Sequence, residues 1–165
     1  MQEIERRFLG RIDDPELPGR AHEVWRIRQA YLGVAGPTVR IRQLNGEYIL
    51  GIKTGDGLVR REVEVRVDGA AAAELFAMAG DVRLEKVRYR YARWEVDVFA
   101  GKLEGLVTAE VELVREDEPL PPPPPGLTLV REVTGDRRFT SHGLALLTEA
   151  EAPARVRAIL RDLER

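Results

Sequence analysis

Polar and apolar side chains alternate with a period of two along most of this chain, and that rhythm predicts strands. In Gln2-Glu3-Ile4-Glu5-Arg6-Arg7-Phe8, Glu3, Glu5 and Arg7 fall on one side and Ile4 and Phe8 on the other. The pattern returns in Thr38-Val39-Arg40-Ile41-Arg42, Tyr48 to Lys53, Arg61 to Val67, Glu85 to Arg90, Trp94 to Val98 and Thr108 to Leu113. With the less regular Val24 to Leu32, eight strands are expected. Asn45-Gly46 and Gly55-Asp56-Gly57 carry hairpin chemistry, because both supply positive φ at little cost, so neighbouring strands should run antiparallel.

Two helices interrupt or follow this series. One is predicted over about Gly69 to Ala79, with Asp68 as its cap, a run of four alanines inside it and Gly80 as its stop, and with Leu75, Phe76 and Met78 covering part of a sheet. The other runs from about Glu151 to Leu163, with Pro153 in its first turn and Val156, Ile159, Leu160 and Leu163 on one stripe. It docks on the strands or on a second subunit, which leaves a homodimer open. The prolines from Pro121 to Pro125 exclude helix and central strand and read as a stiff surface loop. The division expected is a domain over 1–147 and an amphipathic helical tail over 148–165.

With 165 residues, 44% of them hydrophobic, the chain has enough material for one domain with a real core. Its 26 Lys and Arg nearly balance 28 Asp and Glu, so no overall field draws in a nucleic-acid polymer or an anionic membrane. The lack of cysteine removes thiolate nucleophiles, disulfides and cysteine-bound metal centres. Glu3, Glu5, Arg6 and Arg7 stand where a signal peptide would be apolar, and no stretch approaches the roughly 18 apolar residues of a membrane span. A soluble, cytoplasmic protein is expected.

Alternation defines two faces without saying which is inside, and in most antiparallel sheets the charged face meets water. Here, however, the charges are sorted by strand. Acids come in pairs at Glu3/Glu5, Glu62/Glu64, Glu95/Asp97 and Glu110/Glu112, and bases pair at Arg40/Arg42 and Lys86/Arg88. Two unit charges at 4 Å interact by about 4 kcal/mol at an effective dielectric near 20, so clustered like charges call for a compensating ligand. Paired carboxylates suit a hard cation such as Mg²⁺ or Mn²⁺, and paired guanidinium groups suit a polyphosphate. His22 and His142, in loop-like contexts, read as surface or local hydrogen-bonding groups, and Trp25 and Trp94 as wall residues.

At these residues the sequence resembles the CYTH, or triphosphate tunnel metalloenzyme, family. Glu3-Ile4-Glu5-Arg6-Arg7 is similar to its opening ExExK motif, and Arg28-Gln29-Ala30-Tyr31-Leu32 to the RQxYL segment of its small bacterial members. Further likeness lies in Arg40-Ile41-Arg42, Ile52-Lys53, Arg60 to Glu64, Glu85 to Tyr89, Trp94 to Phe99, Ala109 to Leu113 and Glu132 to Asp136, in order and at the family's spacing. The resemblance implies a closed eight-stranded antiparallel barrel, a tunnel with a charged interior and a few surface helices. It implies metal ligation by Glu3, Glu5, Glu110 and Glu112, with Asp97 as a further ligand, and triphosphate binding by Arg40, Arg42, Lys53, Lys86 and Arg88, with Arg28, Arg60 and Arg131 as further contacts.

Arg7 stands where the family usually has a lysine that pairs with the tyrosine at the Tyr31 position; Phe139 and Ser141 replace a common tyrosine and asparagine. Glu62 or Glu64 is the expected proton acceptor for an attacking water. The implied reaction is metal-dependent hydrolysis of a small triphosphate, foremost inorganic tripolyphosphate to pyrophosphate and phosphate. A nucleoside or thiamine triphosphatase, a class IV-type adenylate cyclase and a non-catalytic polyphosphate-binding module stay open at this point.

Overall fold

A computed structural model describes residues 4–33, 35–54 and 61–165. Its strands are β1 (Ile4–Ile12), β2 (Glu23–Leu32), β3 (Thr38–Leu44), β4 (Glu47–Thr54), β5 (Arg61–Val67), β6 (Arg83–Tyr91), β7 (Trp94–Ala100), β8 (Val107–Leu113) and β9 (Leu127–Glu132). The helices are α1 (Gly69–Ala79), α2 (Ser141–Ala145) and α3 (Ala152–Leu163).

The strands form one antiparallel sheet of nine, in the order β5-β4-β3-β2-β6-β7-β8-β1-β9. This corrects the expected closed barrel of eight. Among the described residues β5 and β9 are the two ends of the sheet and do not pair with each other. The extra strand is β9, which takes up the edge of β1 from Phe8 to Ile12, past a register shift at Leu9/Gly10. Its sequence, Leu-Thr-Leu-Val-Arg-Glu, lacks the clean alternation of the others and follows directly on the prolines.

Local chemistry explains several boundaries. Asn45 (φ 47°) and Gly46 (φ 89°) both turn through the left-handed region and set β3 against β4, with Leu44 opposite Glu47. Asp68 accepts a hydrogen bond from the Ala71 N–H at 2.8 Å and starts α1, which Gly80 ends at φ 62°. The Gly55-Asp56-Gly57 turn lies outside the described residues. No described helix is long and apolar enough to cross a membrane.

Three apolar clusters cover the sheet. Ala30 and Ile41 pack with Ala72, Phe76 and Ala79 of α1; Met78, expected to join them, is 73% exposed. Phe8, Val96, Ala109 and Val111 pack with Leu17 and Leu120, and Trp94 donates its indole N–H to the Pro122 carbonyl at 3.0 Å. The third cluster joins Leu9, Tyr31, Leu84 and Phe99 to Leu144 of α2 and to Val156 and Ile159 of α3, so the C-terminal helix docks on the sheet.

Candidate active site

In antiparallel pairs, residues directly opposite point to the same side. The register therefore links Glu5 to Glu112, Arg7 to Glu110, Glu110 to Glu95, Asp97 to Arg88, Gln29 to Arg42, Tyr31 to Arg40 and Lys53 to Glu62 as one charged face running across the sheet. The apolar residues under α1 and the proline segment occupy the opposite face. At one end the charged face is itself closed over by Leu9, Leu84 and Phe99 against α2 and α3. Burial then answers what periodicity left undecided: Gln29 is 0% exposed, Asp97 2%, Lys86 3% and Glu110 9%. Charged groups rarely reach such burial unless paired, so this is the enclosed face of the sheet.

Its acidic end is a cavity of about 470 Å³ lined by Glu5, Glu95, Glu110 and Glu112 together with Arg90 and Arg93. Arg7 donates through Nε to Glu110 at 2.7 Å and through its terminal nitrogen to Glu5 at 3.0 Å. Arg93 donates to the Glu112 carbonyl at 2.6 Å and pairs with Glu118. Glu5 is pushed up to about 7, by loss of solvent first and by the Glu110 carboxylate next, against the pull of Arg7 and Arg88. Crowded carboxylate oxygens with a strained ionisation are a donor set that fits a hard divalent cation. Among the described residues no three acidic side chains already converge as a formed cluster, since Arg7 holds Glu110 and Arg88 holds Glu95 at 2.6 Å. Glu3 lies outside the described residues.

The basic end is built around Asp97. Its carboxylate accepts from Lys86 Nζ at 2.8 Å and twice from Arg88, at 2.7 and 2.8 Å. Burial alone would raise its pKa, but Lys86 and Arg88 overcome that and hold it well below the usual carboxylate range. Burial lowers Lys86 despite Asp97, whereas Arg88, also desolvated, is raised by its bonds to Asp97 and the charges of Asp97, Glu95 and Glu110. Asp97, expected as a metal ligand, thus has both oxygens committed to the basic pair.

Beside it, Arg42 donates from Nε to Gln29 at 3.1 Å, and Gln29 donates from Nε2 to the Tyr31 hydroxyl at 3.0 Å. Burial, then Arg40 and Arg88, bring Arg42 down to about 10. Arg40 is gripped at one terminal nitrogen by Glu62 at 3.3 Å and Glu64 at 3.2 Å. Gly51 lies beside this cluster, where a Cβ would be in ordinary contact with Arg40 and Glu62, 3.6 Å from each. The Arg40 Nε is buried and has no hydrogen-bond partner among the described residues. A buried donor without an acceptor is uncommon and costly, and an anion on this face would satisfy it.

The closing helix touches the same wall. Lys86 Nζ lies 3.3 Å from the Ser141 hydroxyl, and the His142 ring packs on Tyr31 at 4.9 Å between centroids. α2 is held from both ends. Thr140 caps its start by accepting from the Gly143 N–H at 3.0 Å, and Gly143 sits so close to the preceding turn that a Cβ would lie 2.0 Å from the Arg137 carbonyl. The buried Lys102 ammonium donates to the carbonyls of Ala145, Leu147 and Asp81 at 2.9, 2.6 and 2.8 Å.

Two expected phosphate contacts fall elsewhere. Arg28 is on the opposite face, across from Glu85 and Gln43, with its guanidinium 4.7 Å from the centre of the Phe76 ring. Arg131 is exposed and lines a separate recess of about 210 Å³ beside α3, with Arg138 and Arg155. Arg60 lies outside the described residues. The pairing implied for Arg7 with Tyr31 is not observed: Arg7 turns to Glu5 and Glu110, and Tyr31 to Gln29. Glu95, expected as half of an acid pair, lines the cavity, whereas Gln29, Ser141, His142 and Lys102 lie at this face or support it without having been expected there. For Gln29 a signal existed, its strand parity with Tyr31.

No family model matches the chain. Known proteins nevertheless resemble it over most of its length. An inorganic triphosphatase of Nitrosomonas europaea is 38% identical over 157 residues, 88% of this chain and 98% of that protein. One of Acetivibrio thermocellus is 36% identical over 150 residues, 87% of this chain and 92% of that protein. A solved inorganic triphosphatase structure superposes with a TM-score of 0.67 at 33% identity, covering 89% of this chain and 96% of that one.

Proposed function

The chain belongs to the CYTH, or triphosphate tunnel metalloenzyme, family, and from that premise we propose that it hydrolyses inorganic tripolyphosphate to pyrophosphate and phosphate with Mg²⁺ or Mn²⁺. The observation that carries this reading is the one enclosed face with a carboxylate cavity at one end and, at the other, a buried arginine Nε that lacks an acceptor. Glu5, Glu110 and Glu112, with Glu3, would hold the cation, which would supply charge neutralisation for phosphate oxygens and a lowered pKa for water.

The chain's own groups do the rest. Arg40 donates its free Nε to a phosphate oxygen, and Arg42, Lys53, Lys86 and Arg88 spread positive charge along the polyanion. Asp97 keeps Lys86 and Arg88 aimed at that space, and Gln29 does the same for Arg42. Water oxygen bonds to the terminal phosphorus as the bridging P–O bond breaks, its electron pair leaving on pyrophosphate. Glu62 or Glu64 takes the water's proton. The substrate is a small soluble anion in a cytoplasmic setting.

The test is ion chromatography of tripolyphosphate incubated with the protein and each metal, with ATP, GTP and thiamine triphosphate as comparators. Equal amounts of pyrophosphate and phosphate, released faster than from the comparators, are expected. Tight tripolyphosphate binding by calorimetry without turnover in either metal would make the protein a binding module instead.

A further inference from the structure

Among the described bases of the charged face, Arg7 hydrogen-bonds two carboxylates of the acidic cavity at once. Its guanidinium bridges two carboxylates of the acidic cavity, one from β8 and one from its own strand, with Nε on Glu110 at 2.7 Å and a terminal nitrogen on Glu5 at 3.0 Å. It is mostly enclosed, with 18% of its side chain exposed. The bases of the other wall are held chiefly by Asp97, Glu62, Glu64 and Gln29, residues outside the cavity lining, and Arg88 reaches one cavity carboxylate, Glu95, at 2.6 Å.

A planar fork can satisfy two acceptors at once, which a compact ammonium does less well, so an arginine at this position is suited to span the carboxylates. The same oxygens are those a hard cation would take. Glu110 Oε1 cannot both accept the Arg7 N–H at 2.7 Å and coordinate a cation from that side. Among the described residues the ion-pair neighbour of the other Glu110 oxygen is Arg88, at 3.9 Å. Arg7 therefore stands between the cavity and its cation.

We propose that Arg7 is an internal counter-cation: it neutralises Glu110 and Glu5 when no metal is present and must be displaced from them for a divalent cation to bind, so that it sets the cation affinity of the site. This deepens the metal-dependent reading above and rests on it. The consequence is a chain that loads its cation more weakly than its carboxylates alone would allow.

Calorimetric titration of the full chain with Mn²⁺, without substrate, tests it. Arg7→Gln should bind Mn²⁺ about tenfold more tightly than the unsubstituted chain, the scale of one charge-assisted hydrogen bond removed from competition. Arg90→Gln removes an equal charge from the lining of the same cavity without freeing Glu110, and should change affinity less than about threefold. In the unsubstituted chain, the Arg7 Nε–H resonance, assigned by its loss in Arg7→Gln, should shift on addition of Mg²⁺ as its bond to Glu110 breaks. Mn²⁺ binding by the Arg7→Gln chain alone would support displacement in its strongest form. Equal or weaker binding by Arg7→Gln, equal tightening by Arg90→Gln, or an Arg7 resonance unmoved by saturating Mg²⁺ would each overturn the proposal while leaving the proposed function standing. Failure of both chains to bind Mn²⁺ would remove the metal-dependent reading itself, and this inference with it.

Discussion

The two ends of the charged face solve the problem of enclosed charge differently. At the basic end, Asp97 is as buried as the Lys86 it pairs with, and the charges complete one another within the protein. At the acidic end, Glu5 and its neighbours share a cavity, and Glu5 is ionised only against resistance. Where the compensating charge is built in, removing a residue should cost stability. Where built-in compensation by Arg7 is incomplete and a cation is to be received, removal should cost function and leave the fold intact.

The largest expected effect is Asp97→Ala, which leaves Lys86 and Arg88 enclosed without their shared partner and should cost about 3–5 kcal/mol in urea unfolding. A pH series sharpens the point. Because the folded pKa of Asp97 is depressed, its contribution is fully present above its unfolded value near 3.8 and fades as pH falls through the folded one. The unsubstituted chain should therefore lose stability below about pH 4 more steeply than Asp97→Asn does.

Next comes Glu112→Gln at the other end. Metal-dependent phosphate release should fall by about a hundredfold or more, with the circular dichroism spectrum and thermal midpoint unchanged. A matching loss of stability would erase the contrast between the two ends. Arg40→Lys should have a moderate effect, raising KM for tripolyphosphate about tenfold, since a single ammonium nitrogen that meets Glu62 and Glu64 leaves no donor at the position of the Arg40 Nε.

The smallest effect concerns Glu5. Its pKa is raised, so its ionised form opposes folding: the penalty is absent below about 4.5 and complete above about 7. Glu5→Gln should then give a small rise in the thermal midpoint at pH 8 without divalent cations and none at pH 4, as scanning calorimetry can check. An unchanged midpoint at pH 8 would mean that Arg7 already offsets the whole penalty.

Most of the strand framework was legible because alternation, the Asn45-Gly46 turn and the Asp68 cap are local signals. β9 was not, since all of its first four residues are apolar or β-branched without a regular period and it owes its place to the free edge of β1. Which charges belong together was visible; which face they take was not, because that depends on what α1, α2 and the proline segment cover. Arg28 shows a motif overriding parity. It is one residue from Gln29 and three from Tyr31, an odd separation that puts it on the other face of the strand, although all three sit in one family-like segment. The partners of Arg7 and the carbonyl ligands of Lys102 arise from long-range packing that no local pattern encodes.

The absence of a side chain at Gly143 has a reach beyond its own turn. Its backbone is not in the left-handed region, so alanine would be tolerated conformationally; what forbids it is the Arg137 carbonyl, 2.0 Å from where the methyl carbon would sit. A methyl there would lever α2 away from the preceding turn, and Ser141 and His142 would travel with it, off Lys86 and Tyr31. How closely α2 seats against this end of the charged face is thereby set by a single hydrogen atom on a residue outside that face.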